Sequence, residues 1–391
     1  MRWAAKRLVV GFLLACLLAA IARAAVGGAK EGEGPAVQKA EAVLVKDLRG
    51  LLEPIRSQHK LPALGAAVVT SRGLEAIGVT GVRKAGTEVA VTADDVWHLG
   101  SDTKAMTAFL AAALVGDGTL KWETTVGEIF PEAAAAAASP AFGRITLRDL
   151  LSHRSGLPAN APWGLIPRRQ PITEQRLAAV KSASLDKLGA EPGAKFLYSN
   201  LGYVLAGAMA EQATGVTWEN LMMTTVFGPF GMTSAGFGGV GTPGQIDQPW
   251  PHGPDGSPVK ENGPDADNPP VLGPAGTVHC SLTDWSRFIA DLLRGARGEK
   301  ARLSPALYET LQTPPPGGDY ALGWIVADRP WGGGKVLTHT GSNTMNLAVA
   351  WVAPLRDIGV LIVTNQGPPA AAKACDEAAS ALIREHLKTG K

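Results

Sequence analysis

Ser101 and Lys104 stand three positions apart where a strand-like run gives way to an apolar helical one. At that spacing a helix start places a hydroxyl and an amine one above the other on one face. An amine held there can take the hydroxyl proton and leave the oxygen a nucleophile. The pattern Ser-Asp-Thr-Lys is weak alone, but two later segments carry matching groups. Tyr198-Ser199-Asn200 offers a phenol and a carboxamide, and His339-Thr340-Gly341 an imidazole at a strand end. Other chemistries fit less well. The seven histidines are scattered, and neither Cys-x-x-Cys nor His-Glu-x-x-His occurs, so no metal site and no cofactor is expected. Ser101 follows Gly100 but precedes Asp102 and Thr103, which is not the Gly-x-Ser-x-Gly setting of an α/β-hydrolase. His279 and Cys280 are adjacent, so in a strand they point to opposite faces. Ser281 and Asp284 then read as a helix start, and thiol chemistry is not expected.

These groups need elements to position them. Residues 37–58 carry apolar residues at helical spacing and predict a helix. Leu64–Val69 and Leu74–Val79 read as a hairpin around Gly73, and Val89–Leu99 as a further extended stretch. The period turns helical at Ser101 and stays so to about Val115, where Gly116-Asp117-Gly118 stops it. From there to about 275 the chain reads as helices and long loops. Thr146 is the N-cap of a short helix with Asp149 in its first turn, and Leu201–Ala213 is a buried helix. Residues 240–274 are rich in Gly, Pro and Asp and read as a functional rim or a mobile loop. Trp250 there either lines a groove or pins the loop. Tyr320–Val326, Lys335–Thr340, Met345–Val352 and Ile358–Thr364 read as four strands of an antiparallel meander, closed by a helix over Ala370–Leu387. The expected fold is α/β plus all-α: an antiparallel sheet flanked by helices (37–100 plus 276–391) with an inserted, mainly helical domain (101–275). A cleft between the two is where a ligand would bind.

Composition bears on compartment and partners. Arg2, Lys6 and Arg7 precede an apolar run from Leu8 to Ile21, and Ala22, Ala24 and Ala25 close it. The 14-residue run is short for a membrane span, so residues 1–25 read as a signal peptide and predict a periplasmic or secreted protein with no stable span after processing, with a retained N-terminal membrane anchor as the alternative. Without residues 1–24, 33 basic residues face 35 acidic ones, so a nucleic-acid surface is not expected. Cys280 and Cys375 are the cysteines beyond the leader. They can pair in an oxidising compartment or remain two buried thiols. No coiled-coil repeat demands assembly, and a monomer is expected.

Taken in order, Ser101-Asp102-Thr103-Lys104, Tyr198-Ser199-Asn200 and His339-Thr340-Gly341 resemble the motifs of the serine β-lactamase and penicillin-binding-protein superfamily. The nearest branch is that of class C β-lactamases, with D-alanyl-D-alanine carboxypeptidase, D-aminopeptidase and esterase relatives. Leu151-Ser152-His153-Arg154-Ser155-Gly156-Leu157-Pro158 and Glu191-Pro192-Gly193 support it, and the resemblance spans roughly 37–388. It implies a β-lactamase/transpeptidase-like fold and a two-step acylation and deacylation. By it Ser101 is the nucleophile, Lys104 and Tyr198 form the base system, and Asn200 steadies Lys104 and the substrate amide. His339, Thr340 and Gly341 form the substrate-binding edge, with His339 facing the cleft. The backbone N–H groups of Ser101 and Ser342 form the oxyanion hole.

The departure from the family pattern is His339, where β-lactamases of this group usually have lysine in Lys-Thr-Gly. A neutral imidazole attracts a β-lactam carboxylate less than a fixed cation does. The expected function is thus an exported serine hydrolase forming an acyl-enzyme with a peptide, β-lactam or ester carbonyl. Its substrate is a small molecule or peptidoglycan-like. A D-amino-acid peptidase comes first, with carboxylesterase and true β-lactamase as alternatives, and a non-catalytic cell-wall or penicillin-binding sensor as the alternative from another class. His153 is expected to make a structural hydrogen bond rather than transfer a proton, and Arg154, Arg168 and Arg169 to be solvated.

Overall fold

The computed structural model describes residues 45–389. The leader and the first part of the expected 37–58 helix lie outside them. Seven strands form the main sheet: β1 (Lys46–Asp47), β2 (Ala63–Thr70), β3 (Gly73–Gly81), β7 (Ile325–Arg329), β8 (Gly334–Ser342), β9 (Leu347–Ala353) and β10 (Ile358–Thr364). Their order is β1-β3-β2-β10-β9-β8-β7, antiparallel except for the parallel β1–β3 pair. A second sheet sets β4 (Val96–His98) and β5 (Gly236–Phe237) on either side of β6 (Val278–Ser281).

Period-two alternation sends the side chains of the sheet into two cores. Along β10, Ile358, Val360 and Ile362 pack with α1 (Arg49–Gln58) and the C-terminal helix Ala370–Thr389. Leu361 and Val363 point the other way, toward α2 (Thr103–Gly116) and the helical region. Cys375 lies in the first core and Cys280 in the second, so both are buried free thiols and no disulfide forms between them. Helix α2 is apolar on every side, and everything from Thr103 to Ala112 is buried. Such a helix belongs inside a core. Its first turn, which carries Lys104, is thereby held away from water.

Between β4 and β6 the chain is mainly helical. Thr146 caps the helix Leu147–Leu151 in a reciprocal box with Asp149, as the sequence predicts. The helix Asn200–Thr214 is capped by Ser199, whose hydroxyl accepts the Gly202 N–H at 2.9 Å. Arg176, on the helix Ile172–Leu185, is fully buried and paired with Glu211 and Glu219, which ties that helix to its neighbours.

Several expectations need correction. Among the described residues, the helix expected over 37–58 begins at Arg49, because Lys46–Asp47 adds to the sheet beside Ala76–Ile77. The strand expected over Tyr320–Val326 starts at Ile325; Tyr320 to Trp324 are buried in a loop. Only Val96–His98 of the 89–99 stretch is strand. Trp250 pins its loop rather than lining a groove. It is 3% exposed, its indole N–H donates to the Val259 carbonyl at 2.8 Å, and Lys84 sits over the ring at 3.4 Å.

Candidate active site

The chain enters α2 through a single turn of 3-10 helix, Gly100–Asp102. Gly100 adopts φ +51°, which only glycine takes at low cost. A Cβ there would lie 2.3 Å from the Ser342 nitrogen. Opposite, a Cβ on Gly341 would lie 1.9 Å from the Leu99 carbonyl oxygen and 2.5 Å from the Ser101 nitrogen. The turn and the sheet edge therefore touch backbone to backbone. β7 pairs with β8 only as far as Thr338, so residues 339–342 extend past its end as a free strand edge.

Lys104 Nζ lies 2.9 Å from Ser101 Oγ, 2.8 Å from Asn200 Oδ1 and 2.7 Å from the Ala275 carbonyl oxygen. The side chain has no exposed surface. Desolvation brings its pKa down to about 7, and the buried Asp102 carboxylate opposes that shift. The change from the ordinary lysine value is worth roughly 5 kcal/mol in favour of the neutral amine. Geometry then decides where the lone pair points. Two of the three neighbours, a carboxamide oxygen and a carbonyl oxygen, can only accept. Two N–H groups donate to them, and the third direction, toward Ser101, is left to accept the serine proton. The Asn200 amide is held in that orientation because its Nδ2 donates to Asn160 Oδ1 at 3.0 Å.

Tyr198 donates its hydroxyl to Ser101 Oγ at 3.0 Å. Its ring forms part of the accessible surface, at 37% exposure. The hydroxyl end is crowded, and desolvation pushes the phenol up to about 12, against the hydrogen bond to Ser101, which lowers it. So at neutral pH Tyr198 is a proton donor, while Lys104 is the group that can change state.

Behind Tyr198 lies an aromatic box. His153 holds φ +56°, an uncommon backbone state for a non-glycine residue. Its Nδ1 accepts the Ser199 N–H at 3.1 Å, and its ring lies 4.3 Å from that of Tyr198 and 4.5 Å from that of Tyr320. Burial first, and then the nearby Lys104, drive its pKa down to about 2. His153 is thus a neutral support, as the sequence reading has it. Tyr320 and Tyr203 complete the box; neither stands in any of the motifs. The signal that could have found them is composition, because three of the chain's four tyrosines gather here.

His339 departs from the expected position. It is 3% exposed, and its Nε2 meets the Tyr320 hydroxyl at 3.1 Å while its Nδ1 meets the Thr340 carbonyl oxygen at 3.1 Å. Desolvation, then Lys104, hold its pKa near 3. A neutral ring with the proton on Nδ1 satisfies both contacts. His339 therefore faces the aromatic box and not the open cleft. Thr340 is exposed on the free edge of β8.

A pocket of about 380 Å³ opens over Ser101. Asn160, Asn200, Asn268 and Asn343 supply amides, Trp163 an aromatic surface, and Ser342 and Thr344 the far wall. Among the described residues, no charged side chain lines it. Among them, too, no group of three His, Cys, Asp or Glu could hold a metal ion, and no helix is long and apolar enough to cross a membrane.

Known proteins agree with this architecture. "Penicillin-binding protein 4" of Amycolatopsis lactamdurans is 32% identical over 182 residues, 46% of each chain. "D-alanyl-D-alanine-carboxypeptidase/endopeptidase AmpH" of Escherichia coli K12 is 24% identical over 339 residues, 83% of this chain and 85% of that one. The chain covers 46% and 58% of the first two curated relatives it matches, the second being an unguisins hydrolase of Aspergillus violaceofuscus. In fold it matches the octameric penicillin-binding protein homologue of Pyrococcus abyssi (TM-score 0.66, 21% identity, 86% of this chain and 76% of that one). It likewise matches D-alanine carboxypeptidase AmpC of Burkholderia cenocepacia (TM-score 0.66, 20% identity, 84% and 96%). The family model described as Beta-lactamase matches residues 45–384. With that match over most of its length, the chain belongs to the beta-lactamase family, within the superfamily of class C β-lactamases, penicillin-binding proteins and D-alanyl-D-alanine carboxypeptidases.

Proposed function

We propose that the protein is a serine acyl hydrolase that works through an ester on Ser101. The observation that carries this reading is the buried amine of Lys104, 2.9 Å from Ser101 Oγ, with its other two directions fixed by acceptors. Neutral Lys104 takes the serine proton as Oγ attacks the carbonyl carbon. Tyr198 donates to Oγ in the resting site and, as the bond to the leaving group breaks, passes its proton to that group while Lys104 returns one to the phenol. Water repeats the sequence on the acyl-enzyme. The N–H groups of Ser101 and Ser342 receive the developing oxyanion, and the α2 start favours negative charge there. Asn200 and the free edge at Thr340–Gly341 hold the substrate backbone. His339 supports Tyr198 indirectly, through Tyr320 and then His153.

The substrate is a peptide or ester carbonyl without a free carboxylate beside it. The pocket walls are amides and an indole, and the imidazole at 339 is neutral and turned away. A lovastatin esterase of Penicillium rubens, 31% identical over 162 residues, and the unguisins hydrolase are relatives whose names fit such substrates. A free carboxylate, as in a β-lactam or a terminal D-alanine, finds no cation in that lining. The leader-like residues 1–25 support action outside the cytoplasm.

One experiment tests the reading. The protein is treated with a fluorophosphonate, digested and mapped by mass spectrometry, then assayed on a p-nitrophenyl ester, nitrocefin and a D-alanyl peptide as free acid and as amide. The expected result is a single adduct on the Ser101 peptide, with ester and amide hydrolysed at least about tenfold faster than nitrocefin and the free acid, the scale of one lost charge pair. No adduct and no turnover would instead identify a non-catalytic binding protein. Faster turnover of nitrocefin and the free acid would overturn the substrate class.

A further inference from the structure

A second buried network lies beside the nucleophile turn. Its centre is Asp267, in the Gly/Pro/Asp-rich segment before β6. Asp267 Oδ2 lies 2.8 Å from His98 Nε2, and both side chains are almost completely shielded from water. On the other ring nitrogen, His98 Nδ1 accepts the Gly100 N–H at 3.1 Å. That contact fixes the tautomer: Nδ1 carries the lone pair and Nε2 the proton, which points at the carboxylate. Asp267 Oδ1 accepts Asn343 Nδ2 at 2.9 Å. Asn343 Oδ1 in turn accepts the backbone N–H groups of Met345 at 3.3 Å and Asn346 at 3.0 Å. One carboxylate is therefore joined to the residue before Ser101 and to the residue after Ser342.

We propose that Asp267 is a positioning residue that sets the separation of the Ser101 and Ser342 amides by holding His98 with one oxygen and Asn343 with the other. Gly100 and Ser342 already approach so closely that a methyl group between them would not fit. Close contact sets only the least separation of the two segments, whereas the Asp267 bridge ties them together through hydrogen bonds. It requires an acceptor at both oxygens, because His98 and Asn343 each present a donor. A carboxylate meets that requirement and a carboxamide does not. The inference rests on the proposed use of those amides as an oxyanion hole.

The test is a charge swap. Asp267→Asn presents an NH₂ group to one of two donors. If His98 changes tautomer to accept it, its Nδ1–H then opposes the Gly100 N–H. Acylation of a p-nitrophenyl ester in single-turnover mode should fall on the order of 10²-fold, as for loss of one oxyanion donor, with ester affinity within about threefold of wild type. Asn343→Asp sets two carboxylates face to face and should lose as much. In the double variant Asp267→Asn/Asn343→Asp, the carboxamide now at position 267 accepts from His98 and donates to the carboxylate now at position 343. Every hydrogen bond is remade with the charge moved from one partner to the other. Its acylation rate should return to within about fivefold of wild type, which a purely steric or stability effect of each change would not produce. A double variant as slow as the slower single one, or unfolded, overturns the proposal, and so does full activity in Asp267→Asn. Should the wild type acylate no ester at all, the oxyanion reading fails. The bridge is then read from Tm alone: two lowered single variants and a restored pair support it, and additive losses overturn it.

Discussion

Ser101→Ala and Lys104→Met should each lower kcat/KM by on the order of 10⁴-fold, and the double variant should be no slower than the worse single one. In the proposed mechanism the two side chains act as one unit. Without the amine, the serine hydroxyl has no acceptor for its proton. Asn200 Oδ1 and the Ala275 carbonyl cannot replace it, because amide oxygens are far too weakly basic, and the Tyr198 hydroxyl is itself donating to Ser101. Without the hydroxyl, the amine has nothing to activate. Methionine suits the test at 104 because the site is fully buried and an unbranched apolar chain fills it. Steady-state rates on the best substrate of the panel, with circular dichroism of each variant, give the comparison. Losses that add in logarithm across the double variant would mean that the two groups act independently.

The second large effect comes from a single methyl group. Gly341→Ala should lower acylation on the order of 10²–10³-fold, the loss seen when an oxyanion donor is displaced. The added Cβ would lie 1.9 Å from the Leu99 carbonyl oxygen and 2.5 Å from the Ser101 nitrogen. These neighbours belong to backbone, so the clash cannot be relieved by a side chain turning away. The sheet edge must move outward, and the Ser342 amide moves with it while Lys104 and Tyr198 keep their places. Fluorophosphonate labelling of Ser101 should be slowed along with ester turnover. Unchanged acylation in Gly341→Ala would remove the sheet edge from the catalytic mechanism.

What the sequence discloses, and what it hides, follows from which interactions are local. The Ser101–Lys104 pair is legible because three-residue spacing in a helix fixes geometry by itself, and the Thr146 capping box for the same reason. Strands β2, β3, β8, β9 and β10 are legible as apolar runs bounded by Gly or Pro, and the pleat sorts their side chains between two cores. β1 is not, because two residues joining an edge leave no period. Tyr320–Trp324 imitates a strand since its apolar residues fill the core from a loop. The network around Asp267 lies beyond any local reading. An aspartate in a Gly/Pro-rich stretch reads as solvated until His98 and Asn343, 169 and 76 positions away, close over it. His339 shows the converse: its place at a strand end is legible, but its direction depends on Tyr320, 19 residues earlier.

The proposed mechanism depends above all on a lysine that is neutral near physiological pH because it is buried. Following kcat/KM for ester acylation from pH 5 to 9 tests this directly. Lys104, with its pKa lowered to about 7, is protonated and inactive as a base below that value, and Tyr198, raised to about 12, keeps its proton throughout. The predicted profile rises about tenfold per pH unit on the acid side, bends near pH 7 and is level above about pH 8. A rate that is flat across pH 5–9, or that climbs without a bend toward pH 9, would contradict the claim that Lys104 is the base.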